Sequence, residues 1–241
     1  MQIKPLLLLA AALLMGAAGM VRAAESLESM FERTSPAVAA LYAQENNGSL
    51  RFLCSTTAAE KTEHRTLLVT AYHCVEKDVS YLVSFDGKQF YAARVWSVPR
   101  WEVDPQKYRK AFGTPDVDLA FFAVDEPLNV SVLRFGSDTN VAPGRPIVTV
   151  GFPLGVTKVR YSGIVSGRLE RPGSGLDGYL TLQIFGSPGS SGSSVIDQTT
   201  GEIIGILVAA HQAFVGLPVI FATPANYKSY LMRVNPVADK P

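Results

Sequence analysis

The sequence predicts an all-β fold, a barrel or a sandwich, from three observations. Twelve short apolar or alternating runs follow one another along the chain, divided by glycine, proline and asparagine turn signals. Glycine (20) and proline (15) are frequent enough to supply tight turns between many short strands. Of the 241 residues, 47% are hydrophobic and 18% charged, which is enough apolar surface for a sizeable core and excludes a disordered chain. No repeat, coiled-coil heptad or long charge run interrupts this pattern.

The elements follow in order. Ser26 to Arg33 places Leu27, Met30 and Phe31 at helical spacing, with Ser26 or Ser29 as a cap and Pro36 to end the helix. Strands are expected at Ala37–Tyr42, Leu50–Thr57, Thr66–Ala71, Val79–Phe85, Phe90–Val95 and Leu119–Val124. Asn46-Asn47-Gly48 and Asp86-Gly87 mark turns between them. Residues 126–144 are poor in pattern and read as a connection between two halves, 24–125 and 145–241. The second half offers Ile147–Val150, Val159–Val165, Tyr179–Ile184, Ser194–Ile196, Ile203–Ala209 and Val219–Ala222 as strands. Pro224 to Met232 reads as a terminal helix with Pro224 in its first turn.

Residues 1–23 have the layout of a secretory signal peptide. Lys4 precedes the apolar run Leu6–Met15, and small residues lead to Val21-Arg22-Ala23-Ala24, with cleavage expected after Ala23 or, alternatively, Ala24. The uncharged stretch Pro5–Val21 is shorter than the ~20 residues a spanning helix needs, so no stable membrane anchor is expected after its removal. The remaining chain keeps 20 of the 22 basic residues against 21 acidic ones, without the positive excess of a nucleic-acid binder. Export, to a periplasm or out of the cell, leads to an oxidising compartment where the two cysteines, Cys54 and Cys74, can pair. Two cysteines are too few for a disulfide-dense scaffold or a four-thiolate zinc site. With no metal-ligand cluster or phosphate-binding loop in view, no metal or cofactor is expected.

Three features could carry chemistry. Of the histidines His64, His73 and His211, His73 stands out through its neighbours: it follows a strand in Thr70-Ala71-Tyr72-His73-Cys74, where Cys74 could tether the turn to another strand through Cys54. The opposite reading is a core histidine beside two unrelated thiols. Ser187-Pro188-Gly189-Ser190-Ser191-Gly192-Ser193-Ser194 lies between apolar strands. Glycines flanking a serine let the backbone bend until two N–H groups point at one spot, as an oxyanion requires. Asp118 immediately precedes the strand at Leu119, where its carboxylate can accept a hydrogen bond from an imidazole, whereas Asp116 reads as an ordinary loop residue. A serine nucleophile needs a base, and the base needs an orienting group. His73, Asp118 and Ser191 supply the three in that order.

On these segments the chain resembles the trypsin-like serine peptidases of chymotrypsin fold, bacterial type. Thr70-Ala71-Tyr72-His73-Cys74 is similar to the family's T-A-A-H-C, Asp118-Leu119-Ala120 to its aspartate strand start, and Gly189-Ser190-Ser191-Gly192-Ser193 to G-D/N-S-G-G. Leu27–Ala40, Gly151-Phe152-Pro153-Leu154-Gly155, Ser162-Gly163-Ile164-Val165-Ser166 and Gly201–Ile206 resemble HtrA-type proteases, whereas Ser193 after Gly192 resembles glutamyl endopeptidases. The resemblance runs from about Leu27 to about Val234. It implies two packed antiparallel barrels and a secreted serine endopeptidase acting on protein or peptide through His73, Asp118 and Ser191. It further implies an oxyanion site at the N–H groups of Gly189 and Ser191, and substrate pairing along Val208, Ala209 and Ala210. Ser190 stands where animal-type enzymes carry an aspartate, so activation by N-terminal insertion is not expected. Phe185 and Gly186 begin an uncharged specificity pocket in this reading. Two other readings use the same residues: an inactive barrel pair that binds without cleaving, and an esterase.

Overall fold

All twelve apolar runs form strands, several longer than the run that signals them. The computed structural model describes residues 25–103, 117–137, 141–170, 178–212 and 218–234; the expected signal peptide, residues 1–23, and Asp116 lie outside these. The first half contributes β1 (Val38–Gln44), β2 (Leu50–Lys61), β3 (Thr66–Thr70), β4 (Ser80–Ser84), β5 (Tyr91–Pro99) and β6 (Ala120–Val124). The second contributes β7 (Pro146–Gly151), β8 (Val159–Arg168), β9 (Leu180–Gln183), β10 (Ser194–Asp197), β11 (Ile203–Gln212) and β12 (Pro218–Pro224).

Each set of six closes into an antiparallel barrel. In the first the order is β1-β2-β3-β6-β5-β4, shut by the β5–β6 pairing; in the second it is β7-β8-β9-β12-β11-β10, shut by β7–β10. Closure needs strands that bend. Register shifts at Leu41/Tyr42, Ala58/Glu60 and Val95/Ser97 supply the bends in the first barrel; those at Val165/Gly167, Val195/Ile196 and Leu207/Ala209 do so in the second. Closing both sheets leaves few open edges, and where an edge remains it is informative.

The N-terminal helix α1 (Leu27–Thr34) forms where expected. Ser26 caps it by accepting the Ser29 N–H at 3.1 Å, and Pro36 sits in the 3-10 turn Ser35–Ala37 that follows. Met30 and Thr34 are its buried residues, and Met30 joins a core cluster with Val69, Leu119, Val148, Ile196 and Ile206.

The terminal helix differs from expectation. It is a six-residue 3-10 helix, Ala225–Tyr230, and Leu231–Arg233 leave it to form a strand, β13, against Pro99–Ser97 of β5. Asn226, Tyr227, Ser229 and Tyr230 are weak helix formers, and six residues make too short a helix to outweigh the open edge of β5. Pro224 caps the segment, one residue before the helix begins. The chain thus returns from the second barrel to the first.

The two barrels share apolar contacts. Tyr179, Val208 and Phe221 of the second pack in one cluster with Leu41, Leu68, Val83 and Phe122 of the first. Lys158, at the head of β8, donates to the carbonyls of Ser35 at 2.9 Å and Phe85 at 3.0 Å. Burial, with Arg160 close by, pushes its ammonium down to about 8.

Cys54 of β2 and Cys74 form a disulfide across 20 residues, closing the loop that contains β3. Both sulfur-bearing residues are buried. Replacing both by alanine is expected to cost about 3 kcal/mol of stability through the freed unfolded chain. Denaturant unfolding checks this, and an unchanged midpoint at the same slope would contradict it.

Candidate active site

The site is built at the seam between the barrels. Ala71 ends β3, and the chain tightens into a 3-10 turn, Tyr72–Cys74. That turn is held at one end by the backbone bond from Cys74 N–H to the Ala71 carbonyl (3.2 Å), and through Cys74 by the disulfide to β2. His73 is the middle residue of the turn, with its side chain 46% exposed.

Asp118 approaches from the residues before β6 and grips the turn twice. Its Oδ2 lies 2.7 Å from His73 Nδ1, and its Oδ1 accepts the His73 backbone N–H at 2.9 Å. A carboxylate bound to both the ring and the backbone of one residue fixes the plane of the imidazole and leaves Nε2 for another partner. The hydrogen bond that the His73 ring donates to Asp118 raises the His73 pKa, against partial burial, which lowers it. Asp118 is itself held from the second barrel. Its N–H donates to the Tyr179 hydroxyl at 3.2 Å, and its carbonyl accepts the Thr223 hydroxyl at 3.1 Å. Tyr179 is fully buried, and burial pushes its phenol up to about 12.

The serine loop belongs to the second barrel. Ser187-Pro188-Gly189-Ser190 forms a turn closed by Ser190 N–H to the Ser187 carbonyl at 2.9 Å, with proline second and Gly189 third at φ +89°, the type II pattern. The Ser190 hydroxyl accepts the Ser187 N–H at 3.3 Å, so Ser190 seals the turn locally. Gly192 has φ +83°, and a side chain there would strike the Ser55 carbonyl and the Thr70 hydroxyl. Its N–H donates to Leu207 on β11 at 2.8 Å. Ser193 is accommodated because position 151 is glycine: a Cβ there would meet the Ser193 hydroxyl at 2.1 Å.

The N–H groups of Ser190, Gly192 and Ser193 are all used within the fold, whereas those of Gly189 and Ser191 have no acceptor among the described residues. The Pro188 carbonyl accepts Leu154 N–H at 2.7 Å. In one planar peptide the carbonyl and the N–H point opposite ways, so this bond aims the Gly189 N–H away from Leu154.

Ser55 ties the pieces together. Its N–H donates to the Ser191 carbonyl at 2.9 Å, its hydroxyl donates to the Gly189 carbonyl at 2.9 Å and accepts Phe152 N–H at 2.8 Å, and its carbonyl accepts the Thr70 hydroxyl at 2.8 Å. Nothing in the sequence marks Ser55 beyond its position after Cys54; Thr70, Tyr179 and Thr223 are likewise unmarked. The structure brings His73 and Asp118 into contact and sets the Ser191 loop against the same strands, but Ser191 Oγ makes no hydrogen bond to His73.

Val208, 6% exposed, is the bulged residue of β11. β10 stops pairing with β11 at Ser194, opposite Ile206, so from Leu207 on β11 has β12 on one side and no strand on the other among the described residues. That open backbone edge includes Ala209 and Ala210. Gly186 faces Ile220 of β12, whose side chain a Cβ at 186 would touch at 2.9 Å. Ligand atoms of Cys54, His73 and Cys74 lie within 4.8 Å of one another, but the sulfurs are spent in the disulfide. A cavity of about 590 Å³ beside Pro36, Phe85, Tyr91 and Val130 shares no residue with this site.

A sequence model of the trypsin-like peptidase domain matches residues 54–206, from the disulfide past the serine loop. The chain belongs to the trypsin-like peptidase family. Among curated proteins, one named "Probable periplasmic serine endoprotease DegP-like" from Brucella suis biovar 1 is 34% identical over 163 residues, covering 66% of this chain and 28% of the relative. One of the same name from Bartonella henselae is 28% identical over 161 residues, covering 66% and 29%. The chain therefore spans under a third of the length of these relatives. Among solved structures, the HtrA-type protease AlgW with a tripeptide superposes with a TM-score of 0.63 at 24% identity, covering 84% of this chain and 60% of that one. A serine endoprotease from Yersinia pestis gives 0.61 at 19%, covering 85% and 64%. These likenesses agree with the two-barrel fold.

Two outcomes are expected of this geometry. By NMR titration His73 should have a midpoint above the ordinary ~6.5, and Asp118→Asn should lower it; equal midpoints would contradict the pairing. Ser55→Ala removes one partner each from Phe152 N–H and the Gly189 carbonyl and should cost about 1–3 kcal/mol in denaturant unfolding.

Proposed function

We propose that the chain is an exported serine endopeptidase that cleaves protein or peptide substrates through an acyl-enzyme. The observation that carries this is the His73–Asp118 pair at 2.7 Å beside a glycine-flanked serine loop with two N–H donors unused by the fold. Membership of the peptidase family and the endoprotease relatives support it.

With Asp118 on Nδ1, the neutral imidazole carries its proton there and offers a lone pair at Nε2. Ser191 Oγ attacks the scissile carbonyl as Nε2 takes the hydroxyl proton, and the imidazolium formed is stabilised by Asp118. The carbonyl oxygen gains charge between the N–H groups of Gly189 and Ser191; a donor so placed is worth about 3–4 kcal/mol in the transition state. The imidazolium then gives its proton to the leaving amine. Water, activated by the same imidazole, attacks the acyl-enzyme and frees Ser191. Ser191 and His73 are not hydrogen-bonded without substrate, and substrate binding draws the contact tight. An extended chain adds to the open edge of β11 at Val208, Ala209 and Ala210 by backbone hydrogen bonds. Ser190, bonded to Ser187 within its own turn, needs no new N-terminus to order it.

The leader sequence, the disulfide and the periplasmic names of the relatives support a periplasmic location. Among the described residues no helix is long and apolar enough to cross a membrane.

Ser191→Ala should lower kcat on the order of 10⁶-fold. A fluorophosphonate should leave a single adduct on Ser191, read by mass spectrometry of the digested protein. An unmodified Ser191 at neutral and alkaline pH would favour a barrel pair that binds without cleaving.

A further inference from the structure

Ser191 lies between two different surfaces. On one side, Gly192 N–H bonds to Leu207 of β11, whose free edge runs on through Val208. On the other side lies the segment from Phe152 to Val156. The Pro188 carbonyl accepts Leu154 N–H, and a Cβ at Gly189 would sit 2.6 Å from the Phe152 carbonyl oxygen and 2.8 Å from the Phe52 ring. Both sides therefore touch the turn that supplies the oxyanion donors.

The second side carries side chains out of keeping with a solvated loop. Val156 is 79% exposed and Leu154 is 68% exposed, the two most exposed large aliphatic side chains among the described residues. The segment is also held in shape. Leu154 has φ +56°, the left-handed region that a leucine rarely enters, and Gly155 follows at φ +70°. A Cβ at Gly155 would meet the Phe52 ring at 2.7 Å, so the segment lies tight on that ring. The Ser55 hydroxyl fixes its base by accepting Phe152 N–H. Two apolar side chains are thus presented to water on a backbone that the fold constrains, next to the reacting centre. Backbone strain kept at such a place has a use in recognition.

The direction of the substrate follows from the same frame. If the residues before the scissile bond pair with β11, the scissile carbonyl sits at the Gly189 and Ser191 N–H groups, and the chain must leave on the side away from β11. That path crosses Phe52, Leu154 and Val156. We propose that Leu154 and Val156 form an apolar shelf for the leaving half of the substrate, selecting a large apolar side chain within the first two residues after the scissile bond. This rests on the peptidase reading above and adds its substrate class: segments that are apolar just after the cut. In an extended chain, successive side chains alternate in direction, so one of those two positions faces the shelf and its neighbour does not.

A mixed peptide library digested by the full chain, with cleavage sites mapped by mass spectrometry, tests this, and fluorophosphonate labelling of Ser191 is read in parallel. Leucine, isoleucine, valine or phenylalanine should be enriched about five- to tenfold at one of the two positions, as expected for burying a few methylene groups. Leu154→Asn with Val156→Ser should abolish that enrichment; asparagine tolerates the left-handed backbone, so the Leu154 N–H stays in place. Cleavage and labelling without apolar enrichment, or enrichment unchanged in the variant, would overturn the shelf while leaving the peptidase reading intact. Absence of both cleavage and labelling would overturn the peptidase reading and the shelf with it.

Discussion

The buried hydroxyl of Ser55 is the point on which the two barrels agree. It belongs to β2 of the first barrel, yet it donates to Gly189 and accepts from Phe152, both in the second. The amide and carbonyl of the same residue reach Ser191 and Thr70. Each of these bonds alone is modest, of the order of 1 kcal/mol net. Together they fix where the serine loop stands relative to the strand that leads to His73. A larger side chain would not fit, since a Cβ at Gly151 would already lie 3.0 Å from this hydroxyl. Glycine at 151 and glycine at 192 thus serve the same packing requirement from two directions.

The second constraint is the double grip of Asp118. One carboxylate oxygen takes the ring of His73 and the other takes its backbone, so ring and turn move as one body. The disulfide then joins that turn to β2, one residue before Ser55. Tyr179 and Thr223, both from the second barrel, hold the backbone of Asp118 from behind. Asp118 and His73 are therefore residues of the first barrel braced by side chains of the second, and the candidate site draws on both barrels.

Much of this fold is legible in the sequence. The twelve barrel strands announce themselves by short apolar runs, because closed barrels bury one face of every strand and turns must be glycine- or proline-rich. His73, Asp118 and Ser191 stand out because each sits where an apolar run meets a turn. Cys54 and Cys74, with only each other to pair with, form the expected bond. The residues that the sequence does not mark have a common property. Ser55, Thr70, Tyr179 and Thr223 act across 15 to 134 residues of sequence, and a serine or threonine within a strand looks like any other. The terminal segment departs from its local pattern for a related reason. Leu231 to Arg233 would continue a helix by local pattern, but the edge of β5, more than a hundred residues earlier in the chain, captures them.

That capture sets an order on events. β13 is made after every strand of the second barrel, and yet it completes the sheet of the first. As the chain is synthesised, the first six strands can close, but their β5 edge stays uncovered until residues 231–233 have emerged. The second barrel is strung between two parts of the first like a bead on a closed cord. As a folded body it cannot swing away without either stripping β13 from β5 or stretching the 3-10 segment between them. Displacement of one barrel from the other is thereby resisted by a chain anchored at both ends as well as by the packed seam.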